Sequence, residues 1–285
     1  MNFKTHDIPG NYSKQLGIYI PTQNRPNELS ECIAAFIPQL NPYRFPIYIY
    51  DTSKNDTIIS KLMELKKKYP YIIFEHRDKS EVVSKASINA LKLGNTKYIW
   101  LFSDDDIPMS GAVDRIVKEL NKGFEYLQIN NQPFNYDLSD MVGTPPINRT
   151  KDLIYRSGEH EKALLLASNG YAGYISGLIV KRSRFEKVLK TSKEVDNYFL
   201  PPMLFFKAIV GSVGKLIAKP LIKYRTGSQS LSPKAFEVWF NNYPRSLRFL
   251  KPYYSESCLK NAERKDWLLL FLIQTKARVL KLFLK

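Results

Sequence analysis

Residues 98–106 read Tyr-Ile-Trp-Leu-Phe-Ser-Asp-Asp-Asp, an apolar run that ends directly in three carboxylates. A short apolar run bounded by polar residues is typical of a strand buried in a sheet. Three earlier strands are predicted at residues 16–20, 46–50 and 71–74. An amphipathic segment with helical spacing follows each of these strands and leads to the next one. Four strand–helix units in succession predict an α/β fold with a parallel sheet.

The pattern is less regular after Asp106. We expect strands at residues 125–130 and 174–180, and helices at residues 112–120, 182–189 and 203–210. Residues 131–156 are rich in Asn, Pro, Gly and Asp and are predicted to form a long loop. An apolar stretch at residues 215–224 is broken by Pro220, and the last fifty residues have a helical pattern.

Composition and charge limit the classes of protein that fit. The 285 residues are 44% hydrophobic and 25% charged, which excludes an intrinsically disordered or a fibrous chain. The net charge of +16 indicates an anionic partner, which can be a phosphorylated substrate, an acidic membrane or nucleic acid. Two cysteines exclude a disulfide framework. The longest apolar run, Trp267–Ile273, is too short to span a bilayer, and residues 1–11 do not resemble a signal peptide, so we expect a cytoplasmic protein.

The three adjacent carboxylates of Asp104, Asp105 and Asp106 predict a metal site. They repel one another, and a divalent cation among them offsets that repulsion. Mg²⁺ and Mn²⁺ prefer oxygen ligands, and ligands of an open parallel sheet bind outside the carboxyl ends of its strands. The alternative is a solvated acidic turn ahead of a helix that begins near Ser110.

Two other polar segments follow predicted strands. Asp51 ends the second strand, and its carboxylate could accept the N3–H of a uracil or thymine ring; the alternative is that it only starts an Asx-turn. Thr22 and Asn24 follow the first strand and could hold a ribose or a base. Arg25 could join them, or it could be a solvated charge at a helix start.

These segments together resemble the family 2 inverting glycosyltransferases of GT-A fold over residues 16–230. The matching pieces are Ile-Pro-Thr-Gln-Asn-Arg-Pro at 20–26, Tyr-Asp-Thr-Ser-Lys-Asn-Asp-Thr at 50–57, and residues 98–106. The ending Trp-Leu-x-x-Asp-Asp-Asp is most similar to the branch that includes abequosyl- and rhamnosyltransferases of bacterial surface polysaccharides. The resemblance implies a Rossmann-like, mostly parallel sheet flanked by helices, with a C-terminal helical tail.

The resemblance also implies roles for individual residues. Asp105 stands where the family places its ligand to Mn²⁺ or Mg²⁺, Asp106 is a neighbouring acid of that metal site, and Asp104 would approach the ribose. Lys85 is the cation closest to the place where relatives often have an Arg-Asn pair. The residues that the resemblance places in the nucleotide pocket are Pro21, Thr22, Asn24 and Asp51, and Arg25 is a further candidate for nucleotide binding.

An inverting transfer also needs a base for the acceptor hydroxyl and cations for the departing diphosphate. Asp196 is the first candidate for the base, although it could instead cap a helix, and Glu194 and His160 are fallbacks. Arg225 could bind the diphosphate through two hydrogen bonds; the alternative is that residues 225–230 form an exposed polar turn.

The function implied is metal-dependent transfer from a nucleotide-sugar, with UDP or dTDP favoured, to a glycan acceptor in bacterial surface polysaccharide synthesis. We expect this acceptor to be linked to a lipid. Residues 1–110 would be the nucleotide-sugar-binding half and residues 111–230 the acceptor-binding half of one GT-A domain. Residues 231–285 would form a basic amphipathic helical region, which could lie on the anionic inner face of the cytoplasmic membrane or pack on protein.

Three alternative functions have weaker support in the sequence. A nucleotidyl transferase would need a glycine-rich phosphate loop early in the chain, and none follows the first strand. A nucleic-acid-binding protein would explain the positive charge, but its recognised motifs are missing. A membrane-surface protein without transferase activity would bind anionic lipid and ignore both Mn²⁺ and nucleotide-sugars.

Overall fold

The computed structural model describes residues 14–54, 57–168, 174–191, 198–227 and 242–264. The strands are β1 (Leu16–Thr22), β2 (Ile47–Asp51), β3 (Ile72–His76), β4 (Tyr98–Leu101), β5 (Ile107–Pro108), β6 (Tyr126–Phe134), β7 (Leu153–Tyr155), β8 (Leu178–Lys181) and β9 (Gly214–Arg225). The helices are α1 (Pro26–Leu40), α2 (Thr57–Lys68), α3 (Val83–Lys92), α4 (Ala112–Leu120), α5 (His160–Ala167), α6 (Arg182–Thr191), α7 (Leu200–Ala208) and α8 (Tyr243–Arg248). A further helical segment covers residues 256–264.

All the strands of the described residues belong to one sheet, in the order β3-β2-β1-β4-β8-β6-β9-β5, with β7 paired to β9. Parallel pairing joins β3, β2, β1 and β4, and it also joins the two longest strands, β6 and β9. The shorter ladders, which involve β5, β7 and β8, are antiparallel. The predicted α/β fold, a mostly parallel sheet flanked by helices, is confirmed.

A hydrophobic core lies on each face of the sheet because side chains alternate between the faces along every strand. Helices α1, α2 and α4 cover one face, where Phe36 packs against Trp100 of β4. Helices α3, α5, α6, α7 and α8 cover the other face, where Leu101 of β4 is buried. Helix α1 begins at Pro26, whose fixed φ suits the first turn, and it buries Leu29 and Ile33 at helical spacing. Both faces of the central strands are therefore covered, and the loops at the strand ends remain for ligands.

The structure differs from the sequence-based expectation in the second half of the chain. Residues 131–156 are not one long loop, because β6 continues to Phe134 and β7 forms at Leu153–Tyr155. The segment around Pro220 is one continuous strand, β9. The pairing of β9 with β6 shifts register between Ile129 and Asn131. Such an irregularity accommodates a proline, which has no N–H to donate to the ladder. Within the described residues, no helix is both long and apolar enough to cross a membrane.

Candidate active site

The candidate site lies at the carboxyl ends of β1, β2 and β4. Thr22 and Asp51 are aligned at the ends of β1 and β2, and the N–H of Thr52 donates to the carbonyl of Thr22 at 3.0 Å. Asn24 adopts a left-handed φ of 55°, which asparagine tolerates better than most residues. This turn lets the N–H of Asn24 donate to the Ser53 hydroxyl at 2.8 Å. The loops after the two strands are thus held together by hydrogen bonds.

Asp104 and Asp105 are joined to the end of β1 through Arg25 and Thr22. One Asp104 oxygen accepts from the Thr22 hydroxyl at 2.7 Å, and the other accepts from Arg25 Nη1 at 3.0 Å. The same Nη1 donates to Asp105 at 2.7 Å, and the second oxygen of Asp105 accepts from the Ser103 hydroxyl at 2.5 Å. Arg25 therefore bridges two carboxylates that are only 5% and 8% exposed.

The electrostatics of this cluster follow from burial and close charges. Burial, together with repulsion from Asp105, raises the pKa of Asp104 to about 7, and the contacts with Arg25 and Thr22 oppose that rise. Burial by itself would lower the pKa of Arg25, but attraction to Asp104 and Asp105 raises it. At Asp104, burial and the repulsion from Asp105 therefore outweigh the attraction of Arg25.

Asp106 points to a different set of partners. It is 1% exposed, and its carboxylate accepts from the Ser176 hydroxyl at 2.6 Å and from the Arg225 backbone N–H at 3.3 Å. Burial and repulsion from Asp105 raise the pKa of Asp106 well above its usual range. Ser176 also accepts from the Ser103 N–H at 2.9 Å, so this serine ties the acidic loop to the segment before β8.

The guanidinium of Arg225, at the end of β9, donates hydrogen bonds to other groups of the protein. Its Nε donates to the carbonyl of Asp105 at 2.9 Å, and Nη1 donates to the carbonyl of Tyr136 at 2.6 Å. Nη2 bonds Glu31 of α1, and the guanidinium lies 5.5 Å from the centre of the Tyr136 ring. Tyr136 in turn donates its hydroxyl to Glu28 at 2.6 Å. Arg225 thus connects α1, the acidic loop and the loop after β6.

Asp51 is fully buried at the end of β2 and contacts a histidine from the next strand. One carboxylate oxygen accepts from the Ser53 N–H at 3.0 Å and from its hydroxyl at 2.5 Å. The other lies 2.6 Å from Nδ1 of His76, the last residue of β3. The contacts with Ser53 have the form of the Asx-turn that the sequence left open. His76 was missed by the sequence reasoning, although the rule that singled out the ends of the other strands applies equally to β3.

Several predicted site residues have other surroundings. Lys85 of α3 pairs at 3.2 Å with Glu81, which lies just before this helix, and the Lys85 side chain is 61% exposed. His160 starts α5, with Nε2 3.0 Å from the Tyr253 carbonyl and its ring edge-on to Tyr254. Pro21 lies within β1, paired with Tyr50 of β2. Asp196 and Glu194, the first candidates for the base, lie outside the described residues.

A small cavity lies beside β6 and β8, in the part of the chain that was predicted to bind the acceptor. Asn131, Tyr174 and Gly177 are among the residues that line it, and its volume is about 20 Å³. That is room for about one water molecule, not for a sugar ring. A Cβ on Gly177 would lie 2.9 Å from the carbonyl of Ile129, so close packing explains this glycine.

A metal ion fits the chemistry of the acidic loop if it binds together with a diphosphate. No group of three or more Asp, Glu, His or Cys side chains gathers into a metal site among the residues that the structure describes. Asp104 and Asp105 nevertheless supply carboxylate oxygens on either side of Arg25. Mg²⁺ is often held by one or two carboxylates plus substrate phosphates. These residues therefore fit a cation that binds together with a diphosphate and takes the place of the Arg25 guanidinium.

Comparison with known proteins agrees with this geometry. The sequence model described as Glycosyl transferase family 2 matches residues 17–189, more than half of the chain. The chain belongs to this family. No curated protein sequence matches it. The matched region contains β2 to β4, all but the first residue of β1, and the acidic loop, whereas Arg225 lies outside it.

Several solved structures share the fold of this chain. Residues 1–349 of TarS from S. aureus, in complex with UDP-GlcNAc, superpose with a TM-score of 0.65 at 12% identity, covering 89% of this chain and 71% of that one. The mannosyltransferase PcManGT from Pyrobaculum calidifontis, in complex with GDP-Man and Mn²⁺, superposes with a TM-score of 0.61 at 10% identity, covering 94% and 78%. The chain covers 43% of a longer TarS structure. At these identities the likeness concerns the fold alone.

Proposed function

We propose that this family 2 glycosyltransferase moves a sugar from a nucleotide-sugar to a glycan acceptor with inversion, and that it depends on Mn²⁺ or Mg²⁺. The observation that supports this most is the pair of carboxylates, Asp104 and Asp105, that Arg25 bridges at the carboxyl edge of the sheet. Two nearly buried acids beside a cation are the charges expected where a metal–diphosphate is bound.

In this proposal, different residues of the site have different roles in the reaction. Asp104 and Asp105 would hold the cation, which supplies positive charge for the departing nucleoside diphosphate. Arg25, released from the two acids, would remain close enough to contact phosphate oxygens through its planar donors. For the base we retain the carboxylates of Asp196 and Glu194, because an acceptor hydroxyl must lose its proton as the new bond forms.

The acceptor and the membrane location in this proposal are argued from the positive charge of the C-terminal residues. We propose a lipid-linked glycan of bacterial surface polysaccharide synthesis as the acceptor, reached by an enzyme bound to the inner face of the cytoplasmic membrane. Residues 259–285 contain Lys260, Arg264, Lys265, Lys276, Arg278, Lys281 and Lys285. Basic residues near anionic lipid contribute about 1 kcal/mol each. Sedimentation with phosphatidylglycerol vesicles, but not with phosphatidylcholine vesicles, is the result expected; equal recovery with both would contradict membrane binding by charge.

The test of the enzymatic proposal is a thermal-shift panel of UDP, dTDP, GDP and CDP, with and without Mn²⁺. A nucleotide at a hundred times its Kd stabilises the folded state by about 2.7 kcal/mol, which corresponds to a rise in Tm of roughly 5–10 °C for a domain of this size. We expect such a rise for one nucleotide, only in the presence of Mn²⁺. Release of the matching nucleoside diphosphate from its nucleotide-sugar would then be measured with glycan acceptors.

A matched pair of variants makes the test specific. Asp105→Asn keeps the shape of the side chain and removes a charge from the site, so the Mn²⁺-dependent shift should disappear. Asp114→Asn makes the same chemical change on the exposed face of α4, where Asp114 accepts from the Tyr43 hydroxyl, and should leave the shift intact. No shift with any nucleotide in the unmodified protein, or equal losses in both variants, would refute the proposal.

A further inference from the structure

The loop after β6 lies at the same edge of the sheet as the acidic loop. Strand β8 is antiparallel to both β4 and β6, so β4 and β6 run in the same direction, and β9 runs parallel to β6. The carboxyl ends of β4, β6 and β9 therefore share one edge, where Arg225 donates to the carbonyls of both Asp105 and Tyr136. In the sheet order, β6 and β9 lie on the other side of β4 from β1, β2 and β3. A ligand that extends from the acidic loop away from the nucleotide thus reaches Tyr136.

The loop after β6 presents large apolar side chains to solvent on a fixed backbone. Tyr136, Met141 and Val142 are 52%, 69% and 53% exposed. The N–H of Asn135 donates to the carbonyl of Asp140 at 2.9 Å, and the N–H of Asp140 donates to the side-chain oxygen of Asn135 at 3.1 Å. Apolar side chains that are exposed together and held in place are typical of a surface that binds a ligand or a partner.

Two neighbours fix the orientation of the Tyr136 ring. Its hydroxyl donates to Glu28 of α1 at 2.6 Å, and the guanidinium of Arg225 lies over the ring, 5.5 Å from its centre. A guanidinium in this position occupies one of the two faces of an aromatic ring. Because Tyr136 is still 52% exposed, we infer that the opposite face of its ring is open to solvent.

The surroundings of this open face fit a sugar ring. A pyranose presents C–H groups with partial positive charge on its flat faces, and the face of an aromatic ring is negative, so the two attract. The edge of the sugar carries hydroxyls that need hydrogen-bond partners. Glu28 bonds the Tyr136 hydroxyl and Glu31 bonds Arg225, so both carboxylates lie near the ring and can accept from such hydroxyls. A lipid chain has no hydroxyls and would remove water from these charges without replacing it.

We propose that the open face of Tyr136, which we call the sugar platform, stacks against a sugar ring of the acceptor glycan. Asp104 and Asp105 are 5% and 8% exposed, so a sugar bonded to the diphosphate lies deeper than Tyr136. The acceptor arrives from solvent and approaches the acidic loop on the side away from the nucleoside. Glu28 and Arg225 are positioning residues that hold the ring. This inference rests on the proposed function, because that function makes the sugar an acceptor.

The experiment is saturation-transfer difference NMR on the full chain, which detects weak binding of sugars. The probes are the methyl glycosides of glucose, galactose, mannose, rhamnose and N-acetylglucosamine. They are titrated in the presence of Mn²⁺ and of whichever of UDP, dTDP, GDP and CDP stabilises the protein most. Because stacking uses C–H groups that all pyranosides have, this panel tests the sugar platform before the natural acceptor is identified.

Three variants separate the ring from its other contacts. Tyr136→Ala removes the ring and keeps the backbone carbonyl that accepts from Arg225. Tyr136→Phe keeps the ring and removes the hydroxyl. Tyr253→Ala is the matched control, since Tyr253 is 40% exposed and has Nζ of Lys207 over its ring at 5.0 Å, but it follows α8, which covers the opposite face of the sheet from α1.

For the glycoside that binds most tightly, we expect Tyr136→Ala to raise Kd by about 3- to 10-fold, as the loss of one stacking contact allows. Tyr136→Phe should bind this glycoside nearly as tightly as the unmodified protein does, because stacking needs the ring and not its hydroxyl. Tyr253→Ala should leave the Kd of the glycoside unchanged. The Kd of the nucleoside diphosphate should be the same in all three variants, which a general structural role of Tyr136 would not allow.

Several outcomes would overturn the sugar platform. These are equal glycoside binding by Tyr136→Ala and the unmodified protein, a loss in Tyr136→Phe as large as that in Tyr136→Ala, and no signal from any glycoside. UDP-glucose, dTDP-glucose, GDP-mannose or CDP-glucose, chosen to match the nucleotide, tests the assignment to the acceptor. If Tyr136→Ala weakens the nucleotide-sugar more than its nucleoside diphosphate, the ring contacts the transferred sugar and that assignment is wrong.

Failure of the sugar platform and failure of the proposed function give different results. Nucleotide binding by the unmodified protein without glycoside binding refutes the platform alone. The absence of any nucleotide binding refutes the proposed function, and with it the assignment of the sugar as an acceptor.

Discussion

Replacement of Arg225 by methionine tests whether the acidic loop is held in place from the end of β9. Arg225 is 3% exposed and donates to the carbonyls of Asp105 and Tyr136 and to the carboxylate of Glu31. Methionine keeps the apolar stem and removes every one of these donors. The expected result is a less stable protein whose acidic loop shifts away from the site.

The size of the effect follows from the exposure of each partner. The carbonyl of Asp105 belongs to a residue that is 8% exposed, and an unsatisfied buried acceptor costs about 1–3 kcal/mol. Tyr136 is 52% exposed and the Glu31 side chain is 57% exposed, so water replaces much of what those contacts provide, and each is worth about 0–1 kcal/mol. Together these contributions amount to roughly 3 kcal/mol, which lowers Tm by roughly 6–12 °C.

The assay compares Tm without ligand and the Kd of the preferred nucleotide diphosphate with Mn²⁺. Arg225→Lys should fall between the unmodified protein and Arg225→Met, because an ammonium cannot reproduce the planar fork. Lys223→Met is the control on the same strand; Lys223 lies over the Phe134 ring at 4.6 Å, and its loss should cost less than about 1 kcal/mol. A methionine variant with unchanged Tm and weaker nucleotide binding would refute this reasoning and favour direct contact of Arg225 with the diphosphate.

Three further predictions concern stability. Ser176→Ala removes the hydroxyl donor of buried Asp106, so the free energy of unfolding in urea should fall by about 1–3 kcal/mol, and no change would show that water replaces it. Burial raises the pKa of Asp104 from 3.8 to about 7, so the folded state binds the Asp104 proton more tightly than the unfolded state does. The stabilisation of the folded state by this proton is complete below about pH 4 and is lost as the pH rises through 7. Asp104→Asn should therefore make Tm less dependent on pH between 5 and 8, and an unchanged slope would contradict the assignment. Gly94→Ala places a Cβ 2.1 Å from the Tyr48 ring, so the free energy of unfolding should fall by about 1–3 kcal/mol unless the ring moves aside.

The first half of the fold could be predicted because its signals are local. The strand predicted at 98–102 became β4, and those at 16–20 and 46–50 became β1 and β2 with shifts of one or two residues at their ends. Each of these strands is a short apolar run between turn residues, and each helix buries one stripe. Such patterns survive in the sequence without knowledge of distant partners.

The second half was harder because its strands are stabilised by distant contacts. Asn130 is the last residue of the strand predicted at 125–130, but β6 continues to Phe134, and Asn130 is 1% exposed there, with its amide donating to the carbonyls of Ile147 and Ala218 at 2.9 Å each. These carbonyls are 17 and 88 residues away along the chain. A polar residue in a central strand is stable only when such partners are present, and sequence periodicity contains no information about them.

The same distinction explains the acidic loop. Its position at the end of β4 was predicted from the sequence, but three adjacent aspartates cannot be told apart by spacing. Asp104 and Asp105 face Arg25, whereas Asp106 is bonded to Ser176 and to the backbone of Arg225. Among the described residues, the Arg25 guanidinium pairs with both of the first two acids. A divalent ion that arrives with a diphosphate would balance them better and release Arg25 towards the phosphates, so metal and substrate should bind more tightly together than either does alone.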